Sequence, residues 1–399
     1  MSAWQDDATR DLMGLGGRLA LLVRGEGSAV WDAEGNRYLD FLGGIAVNSL
    51  GHAHPAFVTA VSDQAAVLSH VSNYFATPQQ LELAATLKRL AGTGDAGRVF
   101  FANSGTEANE TAVKLARLHG NKVGKKGLVS LNHAFHGRSM GALSLTPKPL
   151  YQDAFQPLLP DVTYIDNTLD ALDELDWSDV AAIFIEPIQG EAGVVEHPAG
   201  FLRRARELAT ANDALLIVDE VQTGMGRTGD WFAFQREGII PDAMTLAKGI
   251  AAGFPLGALV TFGEASGLFY PGTHNSTFGG NPLATAVGIA VIAEIENNDL
   301  LANVVARGEE LRAAVADLPL VTGTSGAGLL IGIQLDGPHA GAVREAAHRR
   351  GLIVNAPTDD VIRIAPAYTI GDAEVEEFTR LFAAALADVN GTASEENNA

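Results

Sequence analysis

Short, uniformly apolar segments recur through the middle of this chain, and helix-like segments separate several of them. The apolar segments lie at 98–101, 128–131, 162–165, 181–185, 215–218 and 258–262. Strands that are apolar along their whole length are typical of parallel sheets with both faces buried. We therefore predict an α/β fold in which helices cover a mostly parallel sheet.

The two ends of the chain differ from its middle in the pattern of predicted strands and helices. A long helical stretch is predicted near 282–316, and the sequence beyond it alternates strand-like and helix-like segments. Strand candidates outside the central region lie at 29–32, 38–41, 328–335, 352–355 and 361–365. We expect residues 56–319 to form a large domain, and residues 1–55 and 320–399 to form a small α+β domain.

Composition excludes several classes of protein. The chain has 399 residues with 48 acidic and 27 basic side chains, a formal net charge of −21 that repels nucleic acid. No stretch approaches the ~18 consecutive apolar residues of a membrane span, and the acidic start does not resemble a secretory signal. Cysteine is absent, and His52 and His54 have metal-like spacing without a third ligand. We expect a cytoplasmic protein without a metal site.

A candidate phosphate site follows the first predicted strand of the sheet. Asn103, Ser104, Gly105 and Thr106 separate that strand from a helix that includes Ala108. Free backbone N–H groups and the positive end of the helix dipole bind phosphate at such a turn. Ser104 and Thr106 add hydroxyl donors. A well-capped helix without a ligand is the alternative interpretation.

Two charged residues stand in apolar surroundings later in the chain. Asp219 and Glu220 end a predicted buried strand, and adjacent buried acids are costly unless at least one has a cationic partner. Lys248 is the only lysine beyond residue 148. Its apolar, glycine-flanked surroundings favour the neutral amine that a Schiff-base lysine requires. A solvated strand end for Asp219 and a lysine reaching water from a loop are the alternatives.

Together these features fit one cofactor, pyridoxal phosphate. It requires a lysine for its aldehyde, a carboxylate for its ring nitrogen, a helix N-terminus for its phosphate and a flat contact for its ring. Phe135 offers an aromatic ring for stacking, although an ordinary core position is the alternative for this residue. Arg138 offers a guanidinium group that can bind a carboxylate through two hydrogen bonds.

Six ordered motifs resemble those of the class III pyridoxal-phosphate aminotransferases, and within that class the enzymes that act on N-acetylornithine in arginine biosynthesis. The motifs are GGIAVN at 43–48, NSGTEANE at 103–110, AFHGR at 134–138, EPIQGE at 186–191, DEVQTGMGRTG at 219–229 and STFGGNP at 276–282. The resemblance covers essentially residues 20–388. It implies the fold of the aspartate aminotransferase type, with a small domain built from both termini.

The resemblance also implies how a cofactor is held. Lys248 matches the lysine that binds the cofactor's aldehyde and moves a proton between the substrate's Cα and the cofactor's C4′. Asp219 would keep the ring nitrogen protonated, Gln222 would hydrogen-bond the phenolic oxygen, and Phe135 would stack on one face. The phosphate would be bound by Gly105 and Thr106.

Substrate contacts and a dimer follow from the same resemblance. Arg138 and Arg363 resemble carboxylate-binding residues, and Glu191 resembles the acid that pairs with Arg363 when no substrate carboxylate is there. In this family Thr277 reaches the phosphate of the other subunit, and Ser276 contacts the substrate. We therefore expect a homodimer with shared active sites.

The expected reaction moves the δ-amino group of N-acetylornithine to 2-oxoglutarate, giving N-acetylglutamate 5-semialdehyde and glutamate. Alternatives are other ω-transaminases, with succinylornithine, succinyldiaminopimelate, ornithine or 4-aminobutyrate as donor. A non-catalytic cofactor-binding regulator on the same fold is a further alternative. Lys248 argues against the regulator, because binding alone requires no neutral lysine.

The choice of donor depends on the entrance to the site. Ornithine aminotransferases of this class place tyrosines where this chain has Leu15 and Ile45. An apolar wall cannot satisfy the free α-ammonium group of ornithine, which favours an acylated donor. The segment 15–18 differs from that of many acetylornithine enzymes, so a longer acyl group such as succinyl stays open.

Overall fold

The computed structural model describes residues 3–14 and 16–396, and Leu15 lies outside the described residues. The longer helices are Ala3–Asp11, Pro55–Val67, Pro78–Ala91, Gly105–Val123, Phe201–Ala211, Pro282–Asn297, Leu300–Val315, Ala340–Arg349 and Asp372–Glu396. Shorter helical segments are Met140–Ser144, Pro149–Gln152, Asp153–Phe155, Leu169–Glu174, Trp177–Asp179, Gly190–Ala192, Ala233–Glu237, Lys248–Ala251 and Gly263–Gly267, and Gly43–Ala46 is a short turn whose residues have positive φ. Among these described helices, none combines the length and the apolar character needed to cross a membrane.

A seven-stranded sheet forms the middle of the molecule. In spatial order its strands are Arg98–Ala102, Gly257–Thr261, Ala243–Leu246, Leu215–Asp219, Val180–Ile185, Gly127–Leu131 and Val162–Ile165. Gly257–Thr261 runs antiparallel to both of its neighbours, and the other pairings are parallel. The predicted α/β fold with a mostly parallel sheet is confirmed.

Both faces of this sheet are buried, as the alternation of side chains in its central strand shows. Leu216 and Val218 belong to one hydrophobic cluster, whereas Ile217 belongs to another, and all three are fully buried. Successive side chains of a strand point to opposite faces. The helix Gly105–Val123 covers the face of Ile217. Burial on both faces is why the strand is apolar throughout.

Strands from the two ends of the chain form the smaller sheets. One sheet contains, in order, Leu22–Glu26, Ala29–Asp32, Arg37–Asp40 and Leu352–Ile353. A second contains Val321–Ala327, Leu330–Leu335, Val361–Ile364 and Asn355–Thr358. A two-stranded pair consists of Ile188–Gln189 and Val195–Glu196. The proposed domain boundaries at residues 55/56 and 319/320 stay a prediction.

An aromatic contact joins the N-terminal segment to the C-terminal helix. The Phe41 ring stacks on the Phe378 ring with 4.5 Å between their centroids. Both side chains are fully buried, so each removes a large apolar area from water.

Two predicted elements differ from the structure in instructive ways. The stretch predicted as one helix near 282–316 is two helices, because Asp299 adopts a left-handed conformation (φ 47°, ψ 42°) that interrupts helical geometry. The segment 352–355 is divided between sheets, since Leu352–Ile353 pairs with Arg37–Asp40 while Asn355–Thr358 pairs with Val361–Ile364.

One strand of the large sheet was not predicted. Ala243–Leu246 is four residues long and contains the polar Thr245, so it lacks a clear apolar run. It nevertheless lies beside Leu215–Asp219 in parallel register, with Thr245 opposite Asp219. The position of this strand places Lys248, which follows it after one residue, beside the end of the Asp219 strand.

Candidate active site

A cavity of about 390 Å³ opens where the carboxyl ends of the parallel strands meet. This edge is where open α/β sheets bind their ligands. Eight of the residues selected from the sequence line it: Ser104, Gly105, Thr106, Phe135, Arg138, Asp219, Gln222 and Lys248. The fold therefore gathers residues that are spread over about 145 positions of the sequence.

The Asp219 carboxylate accepts four hydrogen bonds at the end of its strand. Its Oδ2 accepts one from Asn109 Nδ2 and one from His136 Nδ1, both at 2.7 Å. Its Oδ1 accepts one from the Thr245 hydroxyl and one from the Val221 amide, both at 3.0 Å. Donors from a helix, two loops and the neighbouring strand fix the orientation of this carboxylate.

Asp219 and His136 each favour the charged form of the other. Burial raises the pKa of Asp219, but the hydrogen bond and charge of His136, with the Val221 and Asn109 donors, hold it below its ordinary value. Burial lowers the pKa of His136, but Asp219 more than offsets this and raises it. His136 is thus the hydrogen-bonding partner that favours the ionised form of one of the two adjacent acids.

Glu220 satisfies its burial in a different way. Its carboxyl oxygens accept hydrogen bonds from the Thr223 hydroxyl at 2.5 Å and the Phe234 amide at 2.8 Å. Burial raises its pKa to about 7. A carboxyl group held by neutral donors in this way is readily protonated, so the two adjacent acids do not both carry a full charge.

Lys248 follows the strand Ala243–Leu246 after a single residue, beside the end of the Asp219 strand. Burial lowers its pKa to about 8, against the opposing effect of Glu191. About a tenth of such amines are neutral at pH 7, far more than for an ordinary lysine. The Ser49 hydroxyl donates to the carbonyl oxygen of Gly249 at 3.2 Å and supports the backbone that follows.

The backbone of Lys248 adopts a conformation that a residue with a side chain rarely occupies. Its φ is +48°, in the left-handed region. Such strain is concentrated at functional sites, where the surrounding structure imposes it.

The predicted phosphate site is the N-terminus of the helix Gly105–Val123. The Ser104 hydroxyl caps this helix by accepting a hydrogen bond from the Glu107 amide at 3.3 Å. The first amides of a helix have no intrahelical acceptor. A Cβ on Gly105 would lie 2.8 Å from Val221 Cγ1, so the turn has no room for a side chain there.

The other wall of this turn comes from the segment after Phe135. Gly137 has a φ of +141°, and a Cβ there would collide with the Thr106 side chain. The Thr106 hydroxyl lies 2.6 Å from the Ser139 hydroxyl. Ser139 was not selected from the sequence, because a single serine after a motif gives no signal of its own.

Phe135 lies on the cavity wall and is held through its backbone. Its amide donates to Glu186 Oε2 at 2.9 Å. Burial raises the pKa of Glu186 to about 8. Glu186, Asn109 and His136 also line the cavity, and sequence reasoning gave them no role although all three stand within the quoted motifs.

The two possible carboxylate-binding arginines differ in environment. Arg363 is almost fully buried and donates to Glu191 Oε1 at 2.6 Å, Gln222 Oε1 at 3.2 Å and Asn355 Oδ1 at 2.8 Å. Burial raises the pKa of Glu191, but the charge and hydrogen bond of Arg363 hold it below its ordinary value. The pair implied by the resemblance is in contact in this chain.

Arg138, by contrast, is exposed and lies on aromatic rings. Its guanidinium carbon is 3.3 Å from the centroid of the Tyr151 ring and 5.6 Å from that of Phe135. Stacking holds the plane of a guanidinium group while its N–H groups stay free. This geometry suits recognition of a carboxylate at the cavity entrance.

Ser276 and Thr277 do not line this cavity. Thr277 is exposed and lies in a separate crevice. The Ser276 hydroxyl accepts a hydrogen bond from the Gly279 amide at 3.0 Å, and the Ser276 carbonyl accepts one from Asn73 Nδ2 at 2.7 Å. Within this chain, neither residue lines the cavity to which the resemblance assigns it.

The donor set of the cavity fits pyridoxal phosphate. A locked carboxylate can face the ring nitrogen, an amine of lowered pKa can meet the aldehyde, and a helix N-terminus shaped by glycines can hold the phosphate. Each of these groups lies on the lining of one cavity.

Comparisons with known proteins show the family to which the chain belongs. The family model for class III aminotransferases matches residues 16–386. An acetylornithine aminotransferase of Streptomyces coelicolor is 52% identical over 361 residues, which is 90% of this chain and 88% of that protein.

Solved structures match along nearly the whole chain. The ornithine aminotransferase of Toxoplasma gondii matches with a TM-score of 0.92 at 30% identity, covering 98% of this chain and 95% of that one. The N-acetylornithine aminotransferase of Stenotrophomonas maltophilia matches with a TM-score of 0.84 at 34% identity, covering 97% and 99%.

The lowered pKa of Lys248 gives a chemical prediction. After incubation with pyridoxal phosphate and reduction with borohydride, peptide mass spectrometry should find the label on Lys248, because its neutral amine attacks the aldehyde. Lys248→Ala should lose the label and the near-visible absorbance of the bound cofactor. The exposed Lys122→Ala should keep both, and a label on a different lysine in the wild type would contradict this assignment.

Proposed function

The chain belongs to the class III aminotransferases and is a pyridoxal-phosphate-dependent aminotransferase, and from that premise we propose that it moves the δ-amino group of N-acetylornithine to 2-oxoglutarate. The products are N-acetylglutamate 5-semialdehyde and glutamate, in arginine biosynthesis. Relatives named acetylornithine aminotransferase, at 46–52% identity over 90–92% of the chain, support this donor. A cytoplasmic location is part of the proposal.

The main support for the proposed chemistry is the position of Lys248 beside Asp219, whose carboxylate is held by four hydrogen bonds. Bound pyridoxal phosphate supplies an electron sink for the carbon that bears the amino group. Asp219 would hold a proton on the cofactor's ring nitrogen, and Lys248 would move a proton between that carbon and the cofactor's C4′. Phe135 and Gln222 would fix the plane of the ring.

Two arginines would allow one site to accept both substrates: Arg138 lines the cavity, and Arg363 lies behind its wall, hydrogen-bonded to the cavity-lining Gln222. The exposed Arg138 would bind the α-carboxylate of the donor, whose other end carries the reacting amine. 2-Oxoglutarate has a second carboxylate, which would take the place of Glu191 on the buried Arg363. Binding at two depths places each reacting carbon at the same point.

The entrance segment supports an acylated donor. Ile45 has φ 67° and ψ 62°, is 40% exposed, and stands two residues before the cavity-lining Val47. The left-handed region is strained for a β-branched side chain, so the fold holds an apolar group here at a cost. An ammonium group beside it would lack a partner, whereas an acyl group would not need one.

Initial rates with 2-oxoglutarate as acceptor test the donor. N-Acetylornithine should exceed ornithine by at least ~10²-fold in kcat/KM, which corresponds to about 3 kcal/mol of transition-state stabilisation. Ile45→Tyr is the matched variant and should narrow this ratio by accepting the α-ammonium group. If ornithine or 4-aminobutyrate leads the series, or N-succinylornithine exceeds N-acetylornithine, the proposed donor is wrong.

We further propose a homodimer in which each subunit contributes to the other's phosphate site. Thr277 is exposed and does not line the cavity of its own chain, and large aromatic side chains near its loop face solvent. Tyr74 is 90% exposed, Phe75 67% and Phe278 61%. Exposed apolar groups of this size favour a protein interface.

Mixed dimers test the shared site. Lys248→Ala and Thr277→Ala chains, combined, give one site with both defects and one with neither, provided that Thr277 acts across the dimer. The mixture should therefore be more active than either homodimer at limiting pyridoxal phosphate, measured as turnover per subunit. Activity equal to the average of the two homodimers would place Thr277 outside the partner's site.

A further inference from the structure

The loop that carries Ser276 and Thr277 is attached to the helix that forms the phosphate site. Lys114 Nζ donates to the Thr273 carbonyl oxygen and to His274 Nδ1, each at 2.9 Å. His274 Nε2 lies 3.0 Å from the Thr111 hydroxyl oxygen. Thr111 and Lys114 both belong to the helix Gly105–Val123.

These hydrogen bonds determine the protonation of the imidazole. The Thr111 hydroxyl donates its one proton to the Glu107 carbonyl oxygen at 2.8 Å, so toward His274 it acts as an acceptor and Nε2 carries the hydrogen. The Lys114 ammonium group has only donors, so Nδ1 must accept. His274 is therefore neutral, with its proton on Nε2.

Two aromatic rings pack against the partly buried imidazole. Its centroid lies 4.7 Å from that of Phe100 and 5.9 Å from that of Phe269. These two residues come from the sheet and from the loop before His274. They place apolar surface around the ring, which disfavours a charged imidazole.

The charge that faces the imidazole is the Lys114 ammonium group. Two carboxylates of the same helix are held by other partners. Glu107 accepts from Asn103 Nδ2 at 2.8 Å, and Glu110 accepts from the backbone amides of residues 141 and 142 at 2.7 and 3.1 Å. Protonation of His274 would therefore direct a second N–H at an ammonium group.

We propose that neutral His274 is a positioning residue, which fixes the loop of Thr277 to the phosphate-binding helix of its own chain and thereby sets the cofactor affinity of the partner's site. The proposal rests on the shared site proposed above. One helix would then hold the phosphate of its own subunit at its N-terminus and, through His274, support the contact to the other phosphate. Acid would release this loop.

The direction of the pH effect follows from proton linkage. Burial and the charge of Lys114 lower the pKa of His274. A docked loop thus binds this proton less readily than a released loop does. The stabilisation is complete above the ordinary histidine pKa of about 6.5 and is lost as the pH falls below it.

The test compares release of pyridoxal phosphate from wild-type and His274→Gln holoenzyme at pH 7.5 and pH 5.5. Glutamine keeps a hydrogen-bond donor for Thr111 but does not titrate. The variant therefore measures the effects of acid that do not come from protonation of residue 274. The apparent Kd of the wild type should rise about three- to tenfold more than that of the variant, as expected for one linked proton. Equal sensitivity to acid in the two proteins would overturn the proposal.

Histidine NMR provides a readout that does not depend on activity. In selectively labelled holoenzyme, with the His274 signal assigned from the Gln variant, the neutral ring should show its proton on Nε2. Lys114→Met should raise the pKa of His274 by removing the facing charge. A proton on Nδ1, or an unchanged pKa in Lys114→Met, would contradict the geometry.

The mixed dimers separate failure of this proposal from failure of the shared site. If the mixed dimers regain activity but wild type and His274→Gln are equally sensitive to acid, the role proposed for His274 is wrong and the shared site is still supported. If the mixed dimers show only the average activity of the two homodimers, the shared site is wrong. The proposed effect of His274 on the partner's cofactor is then wrong as well. The NMR result would still report the protonation of His274 in its own loop.

Discussion

The buried carboxylate of Asp219 is the group on which the site depends. Its four hydrogen-bond donors come from a helix, from the loops after two strands and from the neighbouring strand. Asn109 also donates to the His136 carbonyl oxygen at 2.8 Å, so two of the donors are tied to each other. Each donor offsets part of the cost of burying this charge, which couples the site to the packing of the sheet.

Neighbouring ionisable groups respond to burial in opposite directions. Burial raises the pKa of Glu186 to about 8 and lowers that of Lys248 to about 8, whereas Asp219 stays ionised through its pairing with His136. Near neutral pH the cavity therefore holds one fixed anion, an acid that is mostly protonated and an amine that is partly neutral. Different environments give similar side chains these separate functions.

Much of this arrangement can be predicted from the sequence, because the residues involved stand out from their immediate neighbours. The strand before Asp219 is apolar on both faces, and Lys248 is isolated among apolar residues, so both stand out without a structure. The strand before Lys248 does not stand out in the sequence, because four residues that include Thr245 give no periodic signal. His136 and Ser139 could not be selected, since their importance comes from contacts with Asp219 and Thr106 across the fold. For Thr277, only the resemblance of its motif placed it at another subunit's site, because nothing in its local sequence shows which cavity it faces.

The most direct measurement of the central claim is the protonation of the cofactor's ring nitrogen. With ¹⁵N-labelled pyridoxal phosphate bound, the ring nitrogen of the wild type should stay protonated from pH 6 to pH 9, because an anion faces it. Asp219→Asn should keep the cofactor, show an unprotonated ring nitrogen and lose most of its rate, by at least ~10²-fold. The same ¹⁵N shift in both proteins would show that a different group holds that proton, and would contradict the account.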